Sequence, residues 1–348
     1  MPNALSQVTP KPHSNGGAPP GGAVAPAVAV EGLVKRYGEV EAVRGIDFAV
    51  APGETFGFLG PNGAGKSTTI SMLCTLVHPT GGSARVAGHD VERERDEVRR
   101  NIGLVFQDTT LDGYLTAEQN LRLHAELYGM PRGVVSERLE QVMEMVGLWE
   151  RRASLVMTFS GGMKRRLEIG RGLLHSPRVL FLDEPTVGLD PQTRSSIWNY
   201  ISELKRDEDI TIFMTTHYMD EAEYCDRIAI MDRGEIVALD TPEALKASVG
   251  KDRVQIQTED DEATIAALRE KFEIEATIAE GAVTFGVSAG EQFVPRLFAE
   301  LEQPIRSVNL SRPSLDDVFM SYTGKTIRDA EESGKSDMRR NMARMMSR

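Results

Sequence analysis

GPNGAGKSTT, running from Gly60 to Thr69, follows directly on the apolar run TFGFL, and three glycines, one lysine and a run of hydroxyls fall within its ten residues. A tight loop between a strand and the first turn of a helix turns its N–H groups inward, toward an anion. Side chains would block that approach, so glycine recurs. The pattern G-x-x-x-x-G-K-S sets Gly60, Gly65, Lys66 and Ser67 at their spacing, with Pro61, Asn62, Gly63 and Ala64 inside it and Thr68 after it. These residues are read as a cradle for the phosphates of ATP. Lys66 neutralises the β- and γ-phosphates and the Ser67 hydroxyl holds Mg2+. The lysine is expected to pack against nothing else.

RVLFLDEP (Arg178–Pro185) supplies the partner element. Its apolar residues bury a strand and bring Asp183 to the carboxyl edge, where it can hold the Mg2+ shell. Glu184 comes next and can orient and activate a water for attack on the γ-phosphate.

Composition narrows the rest. The chain has 348 residues, a length that suggests about two domains. Its formal net charge of −12 argues against nucleic acid as the main partner and against unaided binding to anionic lipid. Two distant cysteines, Cys74 and Cys225, fit a reducing compartment and make neither a disulfide framework nor a zinc site. His78, His89, His124 and His175 have no metal-like spacing and read as structural or exposed. No stretch reaches the ~18 consecutive apolar residues of a membrane helix, so a membrane role is expected to be peripheral.

Residues 1–26, rich in Pro, Gly, Ala and Ser, read as a flexible leader. From residue 27 to 250, apolar strand-like runs alternate with helical patterns. ETFGFLG, NIGLVFQ, RVLFLDE, ITIFMTT and RIAIMD are continuous enough to be strands buried on both faces of an α/β sheet. Residues 108–174 contain a helical insertion, opened by a hydroxyl cap at Thr116. Residues 251–323 read β-α-β-β-α-β, the split βαβ order of a small ferredoxin-like α+β domain, followed by the helix SLDDVFMSYTG. Leu315, Val318, Phe319 and Tyr322 of that helix fall at 3–4 spacing and either cover the local sheet or meet another subunit. Residues 324–348 read as a basic, Met-rich, flexible tail.

FSGGMKRRLEIGRGLL (Phe159–Leu174) adds a second anion-suited helix start, Ser160-Gly161-Gly162. With this segment in hand, residues 27–250 resemble the ATP-binding-cassette (ABC) family, a P-loop NTPase fold with a helical subdomain. In that family two such domains pair head to tail, and the serine-glycine signature of one closes over the γ-phosphate held by the other. The resemblance implies further roles. Tyr37 matches the aromatic that stacks on adenine, and Gln107 the glutamine that contacts Mg2+ and the attacking water. Asp190 matches the loop that crosses the dimer interface, and His217 the histidine that contacts the γ-phosphate. The signature departs from the common leucine-serine-glycine-glycine-glutamine at Phe159 and Met163. SGGM followed by KRR, and SRPSLDDVFMSYTG, resemble the daunorubicin-resistance-type branch of export ATPases.

The resemblance therefore implies an ATPase subunit on the cytoplasmic side of the cell membrane. It would pair with a second copy of itself and drive export of a drug or lipophilic compound through a separate integral membrane permease. The insertion near Gln107–Gly147 is the expected docking surface. Two alternatives stay open: a soluble, non-transport ABC ATPase, and a lipid or polysaccharide exporter.

Overall fold

The computed structural model describes residues 25–208, 210–279, 282–301 and 303–324. The expected leader up to residue 24 and the basic tail after Gly324 lie outside the described residues.

Six strands form the central sheet, in the order Glu235–Asp240, Arg227–Asp232, Thr55–Leu59, Thr211–Thr216, Val179–Asp183, Ile102–Val105. All neighbours run parallel except the first two, which form an antiparallel hairpin. Thr55–Leu59 and Thr211–Thr216 are buried at every residue, as strands covered on both faces must be. One face carries a ring cluster of Phe48, Phe56, Phe58 and Phe213, with centroids 5.0 to 5.9 Å apart. The connection leaving Thr55–Leu59 runs eventually to the far edge strand, Ile102–Val105. Its first loop therefore opens at the carboxyl end of the sheet, where α/β folds bind ligands.

Phe48 arrives from a second sheet. Val40–Val50, Val28–Tyr37, Gly81–Val86 and the short His89–Asp90 pair antiparallel in that order. One face of it is wet. Val43, Ile46, Phe48 and Val50 are buried while residues between them are exposed. Register shifts at three points of the first pair break up this alternation, so only the continuous runs of the parallel sheet stand out in the sequence.

Helices Ala117–Leu127, Arg132–Met145 and Gly161–Leu173 build the helical unit around Leu121, Leu139, Val142, Val146 and Leu167. Thr116 caps the first with a full capping box to Gln119. Further on, strands Asp252–Thr258, Ala276–Ala279, Ala282–Val287 and Ile305–Ser311 form an antiparallel sheet. With the strands numbered along the chain, its order is 2-3-1-4, and helices Asp261–Phe272 and Gly290–Glu300 lie between them in sequence. This is the expected ferredoxin-like arrangement.

The last helix, Leu315–Thr323, departs from both expectations for it. Ser314 caps it with a capping box, and Gly324 ends it in the left-handed region at φ 71°. Its buried face lies neither on the sheet beside it nor open for another subunit to cover. Leu315, Val318 and Phe319 join the core of the chain's own central sheet, with Leu182, Ile212, Ile228 and Leu245. The helix packs on helix Pro242–Val249 and on strand Glu235–Asp240, and Tyr322 Oη lies 3.4 Å from Ser248 Oγ. Because Phe319 is wholly buried there, Phe319→Ala should destabilise the nucleotide-binding unit by about 3–5 kcal/mol. Urea unfolding followed by ATP-analogue binding checks this. Unchanged nucleotide binding through the transition region would contradict the shared core.

Candidate nucleotide site

Gly60 leaves the central strand with its N–H donated to Thr216 O at 3.3 Å. A Cβ at Gly60 would stand 2.2 Å from Met231 O, so any side chain would drive the loop off the sheet. Gly65, at φ 108°, caps the helix Lys66–Leu73 from the left-handed region. Between them Ala64 is buried and accepts Gly234 N–H at 2.9 Å, while Asn62 and Gly63 face solvent.

Lys66 does more than the sequence suggests. It is buried, and its Nζ donates to Gly60 O at 2.7 Å and to Pro61 O at 3.1 Å, so the ammonium ties the loop it belongs to. It also lies 3.5 Å from Glu184 Oε1. One residue on, Ser67 Oγ donates to Asp183 Oδ1 at 3.1 Å. A hydroxyl and a carboxylate oxygen converging beside a lysine suit a hard, oxygen-loving cation with few protein ligands, so the residues present fit Mg2+.

Glu184 sits at φ 45°, outside the strand and in a region that non-glycine residues rarely adopt. Thr215 holds the turn. Its Oγ1 accepts Glu184 N–H at 3.0 Å and donates to Asp183 Oδ1. The Glu184 carboxylate is buried between Lys66 and His217, whose Nδ1 lies 3.4 Å from Oε2. Burial pushes this carboxyl up, but the His217 ring and the Lys66 ammonium outweigh it and hold it below the usual carboxylate range. It is therefore ionised at neutral pH.

The structure thus gathers Lys66, Ser67, Asp183, Glu184 and His217 at one edge of the central sheet. The other candidate residues make their contacts elsewhere. Tyr37 ends a strand of the antiparallel sheet, 49% exposed, with the Lys35 ammonium 4.9 Å from its ring centre. Gln107 is exposed in the loop after Ile102–Val105. Ser160 spends its hydroxyl on Met163 N–H, capping its own helix, and a Cβ at Gly162 would meet Thr193 Cγ2 at 2.6 Å. Asp190 caps the following helix, accepting from Thr193 N at 3.0 Å and Thr193 Oγ1 at 2.6 Å. Those bonds hold its carboxyl below the usual range. The signature and the Asp190 loop therefore form one packed unit, built on Thr193 rather than on the phosphate loop.

Residues with no local sequence signal support the site from behind. Buried Glu221 accepts from Thr186 Oγ1 and from Thr216 Oγ1, clamping the turn after Glu184 to the strand that delivers His217. Arg194 approaches the same carboxylate at 3.7 Å and lies over the Tyr218 ring. Cys74 and Cys225 are both buried and free of any disulfide, and among the described residues no group of three or more His, Cys, Asp or Glu side chains is placed to hold a metal.

A family profile described as ABC transporter matches residues 43–187, which include the whole phosphate loop, Asp183 and Glu184. The linearmycin resistance ATP-binding protein LnrL of Bacillus subtilis (strain 168) is 40% identical over 308 residues, 86% of this chain and 99% of that protein. The chain belongs to the ABC transporter family. This member's residues 241–323 match a second profile, the C-terminal domain of ATP-binding proteins like DrrA1-3. Its likeness to the daunorubicin/doxorubicin resistance ATP-binding protein DrrA of Streptomyces peucetius is 40% over 321 residues, 89% of this chain and 97% of that one. A dimeric structure of the ATP-binding cassette MJ0796 in a post-hydrolysis state, bound to ADP and Pi, superposes with a TM-score of 0.55 at 28% identity. It covers 62% of this chain and 98% of that one. The α/β cassette expected from the sequence is borne out, and the enzyme is an ATPase. No described helix is long and apolar enough to cross a membrane.

Proposed function

We propose that this ABC ATPase couples ATP binding and hydrolysis to export of a drug-like, lipophilic compound through a separate membrane permease, working peripherally at the cytoplasmic face. The observation that carries the proposal is the convergence of Lys66, Ser67, Asp183, Glu184 and His217 at the carboxyl edge of one sheet. In this reading Lys66 and the loop N–H groups bind the phosphates, Tyr37 stacks on adenine, and Ser67, Asp183 and Gln107 hold Mg2+. When bound, Mg2+ supplies positive charge to the phosphates. Glu184 orients and deprotonates the attacking water while His217 holds the γ-phosphate oxygens. Ser160, Gly161, Gly162 and the Asp190 loop act on the site of a second copy, which explains why their own packing lies away from the phosphate loop. Residues 27–250, completed by the helix Leu315–Thr323, then form the ATPase unit, and the rest of residues 251–323 a regulatory one. The substrate class follows from the relatives, which are named for resistance to linearmycin and to daunorubicin and doxorubicin. ATP-driven uptake of such an antibiotic into inverted vesicles carrying chain and permease tests the reading. Uptake that proceeds without ATP, or no uptake with an active ATPase present, contradicts it.

The permease dock is best supported at a groove of about 700 Å3 between the sheet edge and the helical unit, lined by Leu76, Phe106, Leu127 and Tyr128. Its floor is a ring stack in which Tyr128 lies 4.5 Å from His124 and 4.1 Å from His175. Burial pushes the His124 imidazole down to about 3 and lowers that of His175 as well. Leu127, 75% exposed, is an apolar side chain offered at the groove's rim. Leu127→Asp should leave ATP hydrolysis by the isolated chain unchanged. Permease binding should weaken by about 30-fold, the scale of an interface hot spot. Pull-down with the tagged permease checks this, and undiminished capture would move the dock elsewhere.

A further inference from the structure

The signature helix Gly161–Leu173 carries a charged face that the phosphate signature does not use. Arg165 and Glu168 are 6% and 2% exposed, and Arg171 continues the same face. Arg165 Nε donates to Pro185 O, Nη1 donates to Phe106 O, and Nη2 donates to Asp183 O at 3.3 Å. Glu168 Oε2 balances the charge at 3.2 Å, and its Oε1 accepts Thr110 N–H at 2.8 Å. Arg171 adds bonds to Thr110 O and Thr110 Oγ1.

Two consequences follow from this geometry. The carbonyls of Asp183 and Pro185 flank Glu184, whose φ of 45° costs conformational energy that surrounding bonds must offset. The same guanidinium also grips the residue before Gln107, while Glu168 and Arg171 grip the far end of that loop. Phe106, Thr110 and Arg171 line the groove as well. A planar, multidentate cation can serve three carbonyls at fixed angles, which a lysine ammonium on a flexible stem cannot.

We propose that Arg165 and Glu168 are positioning residues that lock the 106–110 loop to the Glu184 turn, so that the loop carrying Gln107 and the carboxylate move as one unit. The inference rests on the roles proposed above for Gln107 and Glu184. Its test is Arg165→Lys in the full chain, which keeps the charge facing Glu168 and loses the fork. ATP-analogue affinity should hold, melting temperature should fall modestly as buried carbonyls lose their donor, and kcat should fall by about 10–100-fold, the scale of lost supporting contacts. Without nucleotide, amide exchange at Thr110 should quicken while strand Thr55–Leu59 stays protected. In a double-mutant cycle with Gln107→Ala the two losses should be less than multiplicative. A wild-type kcat in Arg165→Lys, or fully multiplicative losses, overturns the proposal. A wild-type rate in Gln107→Ala instead sinks the role given to Gln107, and with it that half of the lock. Should Arg165→Lys fail to fold, Glu168→Gln carries the same test. It keeps an acceptor for Thr110 and removes the charge that fixes Arg165, so an unaltered kcat there also overturns the inference.

Discussion

Lys66→Ala should lower ATP hydrolysis by at least about 10²–10³-fold, the scale of deleting one preorganised electrostatic donor, and should weaken nucleotide binding sharply. The β- and γ-phosphates lose a point countercharge that water cannot replace at a buried position. A second effect comes from the structure. Nζ ties Gly60 O and Pro61 O, so the loop itself loosens, and Glu184 loses the ammonium 3.5 Å from its Oε1. A modest drop in melting temperature is therefore expected alongside the catalytic loss. Phosphate release and fluorescent-nucleotide titration measure both. Hydrolysis at the wild-type rate would mean that the site has been misassigned.

Glu184→Gln separates binding from chemistry. The amide keeps the size and hydrogen-bonding reach of the carboxylate but cannot take a proton. Turnover should fall by about 10² or more, the scale of a general-base contribution, while ATP affinity persists or rises. It should rise if anything, because the carboxylate 3.5 Å from Lys66 no longer competes with phosphate for the ammonium. The strained turn should survive, since Thr215 holds Glu184 through its backbone N–H, which the substitution leaves intact. Single-turnover kinetics against nucleotide binding distinguishes the outcomes. A parallel loss of affinity and rate would assign Glu184 to binding rather than to the chemistry.

The parts of this site that were legible in the sequence are those whose chemistry dictates residue type over a short span. The phosphate loop needs glycine, lysine and serine within eight residues, and the carboxylate pair needs an apolar run ending in Asp183 and Glu184. The supporting bonds were not legible. Arg165 reaches Phe106, 59 residues away, and Pro185, 20 away, through carbonyls that any residue would offer. Its i,i+3 pairing with Glu168 reads in sequence as a common solvent-exposed helix pair. Glu221 gives the same lesson, since its partners Thr186 and Thr216 are ordinary hydroxyls until the fold closes around them.

The last helix shows a different limit. Its apolar stripe was visible, but a stripe says that a face is buried and not against what. The choice fell to the central sheet, where Phe319 fills space beside Leu245. Any cut between the two units near Gly250 would remove those side chains from the ATPase core, so the C-terminal segment holds the ATPase unit together as well as extending it.

The proposed function requires that one chain carry two halves of a nucleotide site that meet only between copies. Light scattering of Glu184→Gln in Mg-ATP, with its nucleotide site saturated, tests this most directly. A mass of two chains is expected, returning to one chain when Ser160 is also changed to Arg. A protein that binds ATP yet keeps the mass of a single chain, or a dimer indifferent to Ser160→Arg, would contradict it.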